Sequence, residues 1–254
     1  MPQPNEPAKR DSQVEVEVQT GVELDNIVWT ALTGPQAGLA QRNAGGARYT
    51  PDFAPFGAAA DYSVESVREI AEMLQARERL TMFTISRPGL PEGFDVVRDA
   101  VAVQMIATQA FSSPDDSQLV RPLRSEHAVD MMRLVKLTEP GPFGPRTHEM
   151  GNYFGIWFDG ELVAMAGERM MAGNYVEISA VCTHPNWRGQ GLGRILMEYL
   201  GASIQRRGAI PLLHVFTTNI SAMRLYRALG FRRARQLHVT VLMRSANQPH
   251  ELQS

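Results

Sequence analysis

A run of glycines set between two different hydrophobic periods constrains this chain more than any other feature. Tyr175 to Cys182 reads as a strand, and from Leu192 onward Leu192, Ile195, Leu196, Tyr199, Leu200, Ser203 and Ile204 share one helical face. Between the two stands Arg188-Gly189-Gln190-Gly191-Leu192-Gly193. A strand that turns through glycine into a helix points to an α/β arrangement. It also leaves unpaired N–H groups at the positive end of the helix dipole. That makes a ready anion site, because glycine puts no side chain between a phosphate and the backbone.

The surrounding residues extend this pattern over 118–246. Leu119 to Leu123 reads as a strand, and Ser125 then caps a helix carrying Ala128, Met131, Met132 and Val135. Glu139 to Pro145 is too rich in proline and glycine for regular structure. Tyr153 to Phe158 and Leu162 to Glu168 flank Asp159-Gly160, a two-residue hairpin signal. Gly208 ends the long helix. Leu212 to Phe216 follows as a strand, Ser221 to Leu229 as a short helix stopped by Gly230, and Arg235 to Met243 as a last strand. The predicted order is β-α-β-β-β-α-β-α-β, a mixed-sheet α/β domain.

Upstream the pattern is weaker. Residues 1–21 read as a flexible arm, although Val14 to Val18 alternates as an edge strand would. Within 22–116 a helix is predicted over Val64 to Leu74 behind Ser63, and strands over Thr81 to Ile85 and Val96 to Ile106. Gly34 to Ala60 reads as loop with short elements, and the polar break from Ser112 to Ser117 is the natural boundary between the two blocks. At 254 residues the chain has room for one large domain or two small ones.

Composition excludes several classes. With 44% hydrophobic and 20% charged residues the chain is neither fibrous nor mainly disordered. No apolar run approaches the ~20 residues of a membrane span, and Met1 to Arg10 has no signal-like stretch, so a soluble cytoplasmic protein is expected. The single cysteine, Cys182, excludes internal disulfides and cysteine-rich zinc sites, and no metal is expected. A net charge of −2 argues against nucleic acid as a partner. The charge is unevenly spread. From Arg188 to Arg244 ten arginines face one acid, Glu198, so this segment is +9 and the remainder −11. Such a segment is either a solvated face or a site for a polyanion that arginine's planar fork would match.

Three ligands compete for the glycine turn. A nucleoside-triphosphate loop ends in Gly-Lys-Ser/Thr, whereas Gly193 precedes Arg194 and Ile195. A dinucleotide fingerprint needs G-x-G-x-x-G and an acid about 20 positions on, where this chain has Ala209 to Leu213. The third reading is the R-x-x-G-x-G loop that takes the pyrophosphate of coenzyme A. Here the residues resemble the GNAT superfamily of acetyl-CoA-dependent N-acetyltransferases. Arg188 to Gly193 is similar to its coenzyme A loop, and Val181-Cys182-Thr183-His184-Pro185 to the strand end before it. Asn219 to Phe231 resembles its second signature, N-x-x-A-x-x-L-Y-x-x-x-G-F, at every fixed position. The resemblance covers about half the chain and implies a GNAT-like domain over 118–246. Residues 22–116 carry no such signature and form a smaller α/β block, for which a degenerate second copy of the fold is one reading.

The resemblance implies roles for individual residues. Val181, Cys182 and Thr183 would offer backbone groups to the pantetheine arm, with one N–H, that of Val181, polarising the thioester carbonyl. Arg188, Gly189, Gln190, Gly191, Leu192, Gly193 and Arg194 would hold the pyrophosphate, and Asn219 would contact the cofactor arm. Tyr226 would protonate the departing thiolate. Asn219 is equally suited to capping a helix, and Tyr226 to packing beside Ala222, Leu225 and Leu229. Glu177, eleven residues before Arg188, resembles the catalytic base of the histone-acetylating branch, and strand alternation puts it on one face with Ser179 and Val181. His184 and His214 are rival bases, and Cys182 reads as a buried, inert thiol.

The expected function is direct acetyl transfer from acetyl-CoA to a small-molecule or peptide amine through a ternary complex, by a monomer or homodimer. The alternatives are a non-catalytic acyl-CoA-binding module and a nucleotide-binding oxidoreductase. The loop after the first helix of the domain, about Thr138 to Asn152, is expected to set acceptor specificity, and its residues favour no particular amine.

Overall fold

The computed structural model describes residues 17–112 and 115–245. Its N-terminal block begins with helix α1 (Ile27–Thr33), capped by Asn26, whose side chain accepts from the Trp29 N–H at 3.3 Å. Strands β1 (Ala40–Arg42), β2 (Gly46–Tyr49) and β3 (Gly57–Ala59) form a small antiparallel sheet of their own. Helix α2 (Val64–Glu72) starts behind Ser63 as predicted and buries Val67, Ile70 and Ala71. Strands β4 (Arg79–Thr84) and β5 (Phe94–Ala107) close the block.

Past the polar break come β6 (Val120–Leu123), α3 (Ala128–Thr138), β7 (Tyr153–Phe158), β8 (Glu161–Ala172) and β9 (Tyr175–Thr183). Helix α4 (Leu192–Arg206), strand β10 (Ile210–Phe216), helix α5 (Ile220–Ala228) and strand β11 (Phe231–Arg244) follow in the predicted order. The 159–160 turn takes positive φ at both residues, 50° and 79°, which matches the twist of the β7–β8 hairpin. Helix α4 buries Leu196, Met197, Leu200 and Ile204 against the sheet. Among the described residues no helix is long and apolar enough to cross a membrane.

The sheet does not stop at the polar break. Its order is β4-β11-β5-β10-β9-β8-β7-β6, so two strands from before the break lie among strands from after it. The long strand β5 lies between β10 and β11, in register with β11 from Phe94↔Arg244 to Ala107↔Phe231. Neighbours pair antiparallel except β9 and β10, which run parallel.

The 34–60 stretch holds three short strands, in keeping with the loop and short elements expected there, whereas helix α1 has no counterpart in the sequence reading. Ser125 opens a 3-10 turn and α3 begins only at Ala128, so the buried stripe is Met131 and Leu134 while Met132 stays largely exposed. The Val14 to Val18 alternation falls mostly outside the described residues, although the Val18 N–H donates to the Arg233 carbonyl at 2.9 Å.

Candidate active site

The site begins where two parallel neighbours part. Strands β9 and β10 pair at Tyr175↔Ile210, Val176↔Pro211 and Glu177↔Leu212, and the pairing then stops. Beyond that point β10 stays with β5 as far as Phe216↔Ala102, and β9 stays with β8 as far as Thr183↔Ala164. The two strands are pulled apart by their outer partners and leave unpaired backbone between them. A bulge helps. Between the pairs Gly167↔Ser179 and Met165↔Cys182, β9 carries one residue more than β8, and Ala180 takes φ 53°. The extra residue breaks the two-residue alternation, so Glu177 and Val181 do not share a face in the simple way the sequence suggested.

A cleft of about 900 Å³ opens from this gap. It is lined by every residue assigned to the cofactor on sequence grounds except Gln190. Gly189 and Gly191 both sit at φ 81°, with nothing within 4 Å of where a Cβ would be. Their need for glycine is therefore conformational, and the space beside them is open. Gly191 is the N-cap of α4 and no side chain caps that helix, so the N–H groups of its first turn face the cleft without a protein partner of that kind. Arg188 is tied back by its Nε to the Thr183 carbonyl at 3.3 Å, and Arg194 pairs with Glu198 one turn on at 3.4 Å.

The remaining arginines of the basic segment are largely engaged in the fold. Arg207 pairs with the buried Glu168, Arg233 with Glu17, Arg235 with Asp25, and Arg244 bonds the carbonyls of Glu72 and Leu74. Only Arg188 and Arg194 of that segment line the cleft. The polyanion reading therefore rests on two side chains and a helix end, and much of the remaining positive charge is engaged within the fold.

On the opposite wall, Asn219 caps α5, accepting from the Ala222 N–H at 3.2 Å, and also lines the cleft. Tyr226 lies one face along the same helix, edge-on to Phe231 at 6.1 Å between ring centroids. Burial pushes its phenol up to about 12, so it stays protonated at any working pH. Cys182 is buried and its thiol is pushed up to about 11 by that burial. A thiol so rarely ionised is a poor nucleophile. His184 is a turn residue, its Nδ1 accepting from the Asn186 N–H at 3.2 Å, and it stands outside the cleft lining.

Glu177 lies beneath the gap and does not line the cleft. Arg169 grips it with a two-pronged fork, Nε to Oε2 at 2.9 Å and Nη2 to Oε1 at 2.6 Å. His214 Nδ1 approaches the same Oε1 at 2.7 Å, and its Nε2 lies 3.1 Å from the Gln104 amide nitrogen. The carboxylate can only accept, so Nδ1–H donates to it, and Nε2 faces the Gln104 amide. Burial alone would raise the Glu177 carboxyl, but the Arg169 charge and the two donors hold it well down, at about 2. A carboxylate that reluctant to take a proton is a weak base, and both nitrogens of His214 are occupied. The cluster braces the point where β9 and β10 part.

Sequence reasoning missed Arg169, Gln104 and the whole far half of the cleft. A signal for the first was present. Glu177 is the only charged residue of β9, the Glu168-Arg169 pair breaks the apolar run of β8, and opposite charges buried in neighbouring strands must pair. The far half has no such signal. Phe56, Thr81, Phe83 and Arg98 reach it from the N-terminal block, facing Val239 and Val241 of β11.

Comparison with known proteins agrees with this geometry. A model of the acetyltransferase (GNAT) family matches residues 122–231. A solved structure from the GNAT family of Novosphingobium aromaticivorans is 38% identical, with a TM-score of 0.83 over 88% of this chain and 99% of that one. A GCN5-related N-acetyltransferase from Kribbella flavida shares the fold at 17% identity, TM-score 0.53, covering 89% of this chain and 98% of its own. Among curated proteins, the [ribosomal protein bS18]-alanine N-acetyltransferase of Escherichia coli is 40% identical over 55 residues, which is 21% of this chain. The chain spans 37% of the length of that relative.

Proposed function

The chain belongs to the GNAT acetyltransferase family, and from that premise we propose that it transfers the acetyl group of acetyl-CoA directly to an amine held in the same cleft. One observation carries the reading: a single cavity joins an uncapped helix start behind two positive-φ glycines to the unpaired backbone between β9 and β10. The first feature suits the diphosphate, the second the amides of the pantetheine arm. Arg188 and Arg194 flank the phosphates, and the Val181 N–H is the donor for the thioester oxygen. Holding both reactants in one cleft supplies the proximity that a bimolecular reaction lacks.

The neutral amine attacks the thioester carbon, the new C–N bond forms, and the C–S bond breaks. The amine's proton leaves to water, Tyr226, kept protonated by burial, gives its proton to the thiolate, and a solvent proton restores the phenol. Cys182 takes no part, since its raised thiol does not ionise to receive the acetyl group. Glu177 serves as a brace, not as the base, with Arg169 and His214 as its partners.

The test combines calorimetry with acetyl-CoA and a thiol-release screen across amino acids, polyamines and short peptides, one of them beginning with alanine as the E. coli relative's name suggests. Micromolar binding with thiol released for one class is the expected result. Binding with no thiol released from any class would make the chain an acyl-CoA-binding module, and absence of binding would end the proposal.

A further inference from the structure

The half of the cleft beyond the β9–β10 gap is built from one face of the β4-β11-β5 ladder, and its register sets what it can hold. Thr81 lies opposite Val241, and Val241 opposite Arg98. One row along, Phe83 lies opposite Val239. Thr81, Phe83, Val239, Val241 and Arg98 therefore point the same way, and all line the cavity. Phe56 is added by a bridge to Thr81, and Phe216 stands at the end of β10 opposite Ala102. The result is an apolar, aromatic trough with one charged rim.

That charge is uncompensated. The Arg98 guanidinium lies over the Phe216 ring, 4.2 Å from its centroid, and has no acidic partner among the described residues. Asp99, next on the strand and on the other face, is taken by Arg87. The other cation of this half, Arg169, lies over Phe56 and is already neutralised by Glu177. Among the described cleft-lining residues the sole acid is Glu139, on the loop after α3. A polycationic acceptor would meet the like charge of Arg98, with Glu139 as the one lining carboxylate to answer its several amines. An anionic group would meet a guanidinium already held in place by stacking, so little freedom is lost on binding.

We propose that this half of the cleft receives an amine that also bears a carboxylate and an apolar or aromatic body, with Arg98 as the carboxylate's anchor. The inference rests on the acetyl-transfer reading above and deepens it by naming the acceptor class. It also gives the N-terminal block a role, because Phe56, Thr81, Phe83 and Arg98 all belong to it.

The experiment is calorimetry on the full chain saturated with coenzyme A, using N-acetylphenylalanine, its carboxamide and N-acetylspermidine as probes. The carboxylate is expected to bind at least tenfold tighter than the carboxamide, and the polyamine not to bind. Arg98→Ala should remove that preference and Arg98→Lys restore only part of it, since the ammonium lacks the fork. In turnover, Arg98→Ala should raise KM for phenylalanine at least tenfold more than it raises KM for phenylalaninamide. Equal binding of acid and amide, an unchanged preference in Arg98→Ala, no binding of any probe, or tighter binding of the polyamine would each overturn the assignment of Arg98. Failure of the transfer reading looks different: acetyl-CoA itself would give no heat.

Discussion

The two halves of the cleft are built by different means. The half assigned to the cofactor is a local device: a bulged strand end, a glycine turn and a helix start, all between Ser179 and Arg194. Its working parts are mostly backbone N–H groups, held open by conformation. The half assigned to the acceptor is assembled from strands far apart in the chain, with Thr81, Arg98 and Val241 brought into one row by sheet register. Its working parts are side chains. A backbone site needs glycine and a fixed spacing and so leaves a motif, whereas a side-chain site needs only that distant residues share a face. One half can stay constant across a family while the other is free to change with the acceptor.

The largest effect should come from breaking the backbone half. Gly191→Glu places a carboxylate where the diphosphate is held and should abolish acetyl-CoA binding at millimolar concentration in calorimetry. The fold should survive, because the Cβ meets nothing within 4 Å, and the left-handed φ of 81° costs only about 1–2 kcal/mol for a residue with a side chain. Gly208→Ala is the matched control. It has φ 76° and equally open surroundings but lies away from the cleft, so it should share the stability cost and bind acetyl-CoA normally. Equal binding losses in both variants would mean that strain, not the open backbone, explains the effect.

The next effect lies beneath the two halves, at the brace. Glu177 and Arg169 are both buried, so Glu177→Gln leaves a buried guanidinium without its counter-charge and should cost about 3 kcal/mol or more in denaturant unfolding at pH 7. The pH dependence has a definite sign. The carboxyl is lowered from an ordinary 4.5 to about 2 in the folded chain, so its stabilisation is complete above 4.5 and is lost as pH falls from there toward 2. Wild type should weaken across that window and Glu177→Gln should not share this component. If Glu177 were the general base instead, the variant would keep its stability and lose at least a hundredfold in kcat/KM.

How much could be read beforehand follows the same division. The order of strands and helices over 118–246 was legible, as was the glycine turn, because each element carries its own period or stop signal. Ser63 and Asn219 were legible as caps, since capping depends on residues within one turn. The face of Glu177 was not, because one extra residue near Ala180 breaks the alternation and nothing in the local composition announces a bulge. Nor was the destination of β5. A strand of apolar and polar residues pairs equally well with many partners, and its place between β10 and β11 is decided by the whole sheet. The basic segment misled for a related reason: net charge is additive along the chain, but Arg207, Arg233 and Arg235 are matched in space by acids from elsewhere.

The smallest of these effects asks whether the cofactor half contains chemistry or only binding. Tyr226→Phe removes one hydroxyl and keeps the ring that meets Phe231 edge-on, so melting temperature should stay within a degree or two of wild type. Affinity for acetyl-CoA should change less than twofold. Turnover should fall about a hundredfold, the usual worth of a positioned general acid. Because burial holds the phenol at about 12, the ratio of wild-type to variant kcat should be flat from pH 6 to pH 9. A ratio that collapses within that range would assign the titration to another group. Parallel losses of turnover, affinity and melting temperature would instead make Tyr226 a packing residue, leaving the backbone of the cleft to do the catalysis alone.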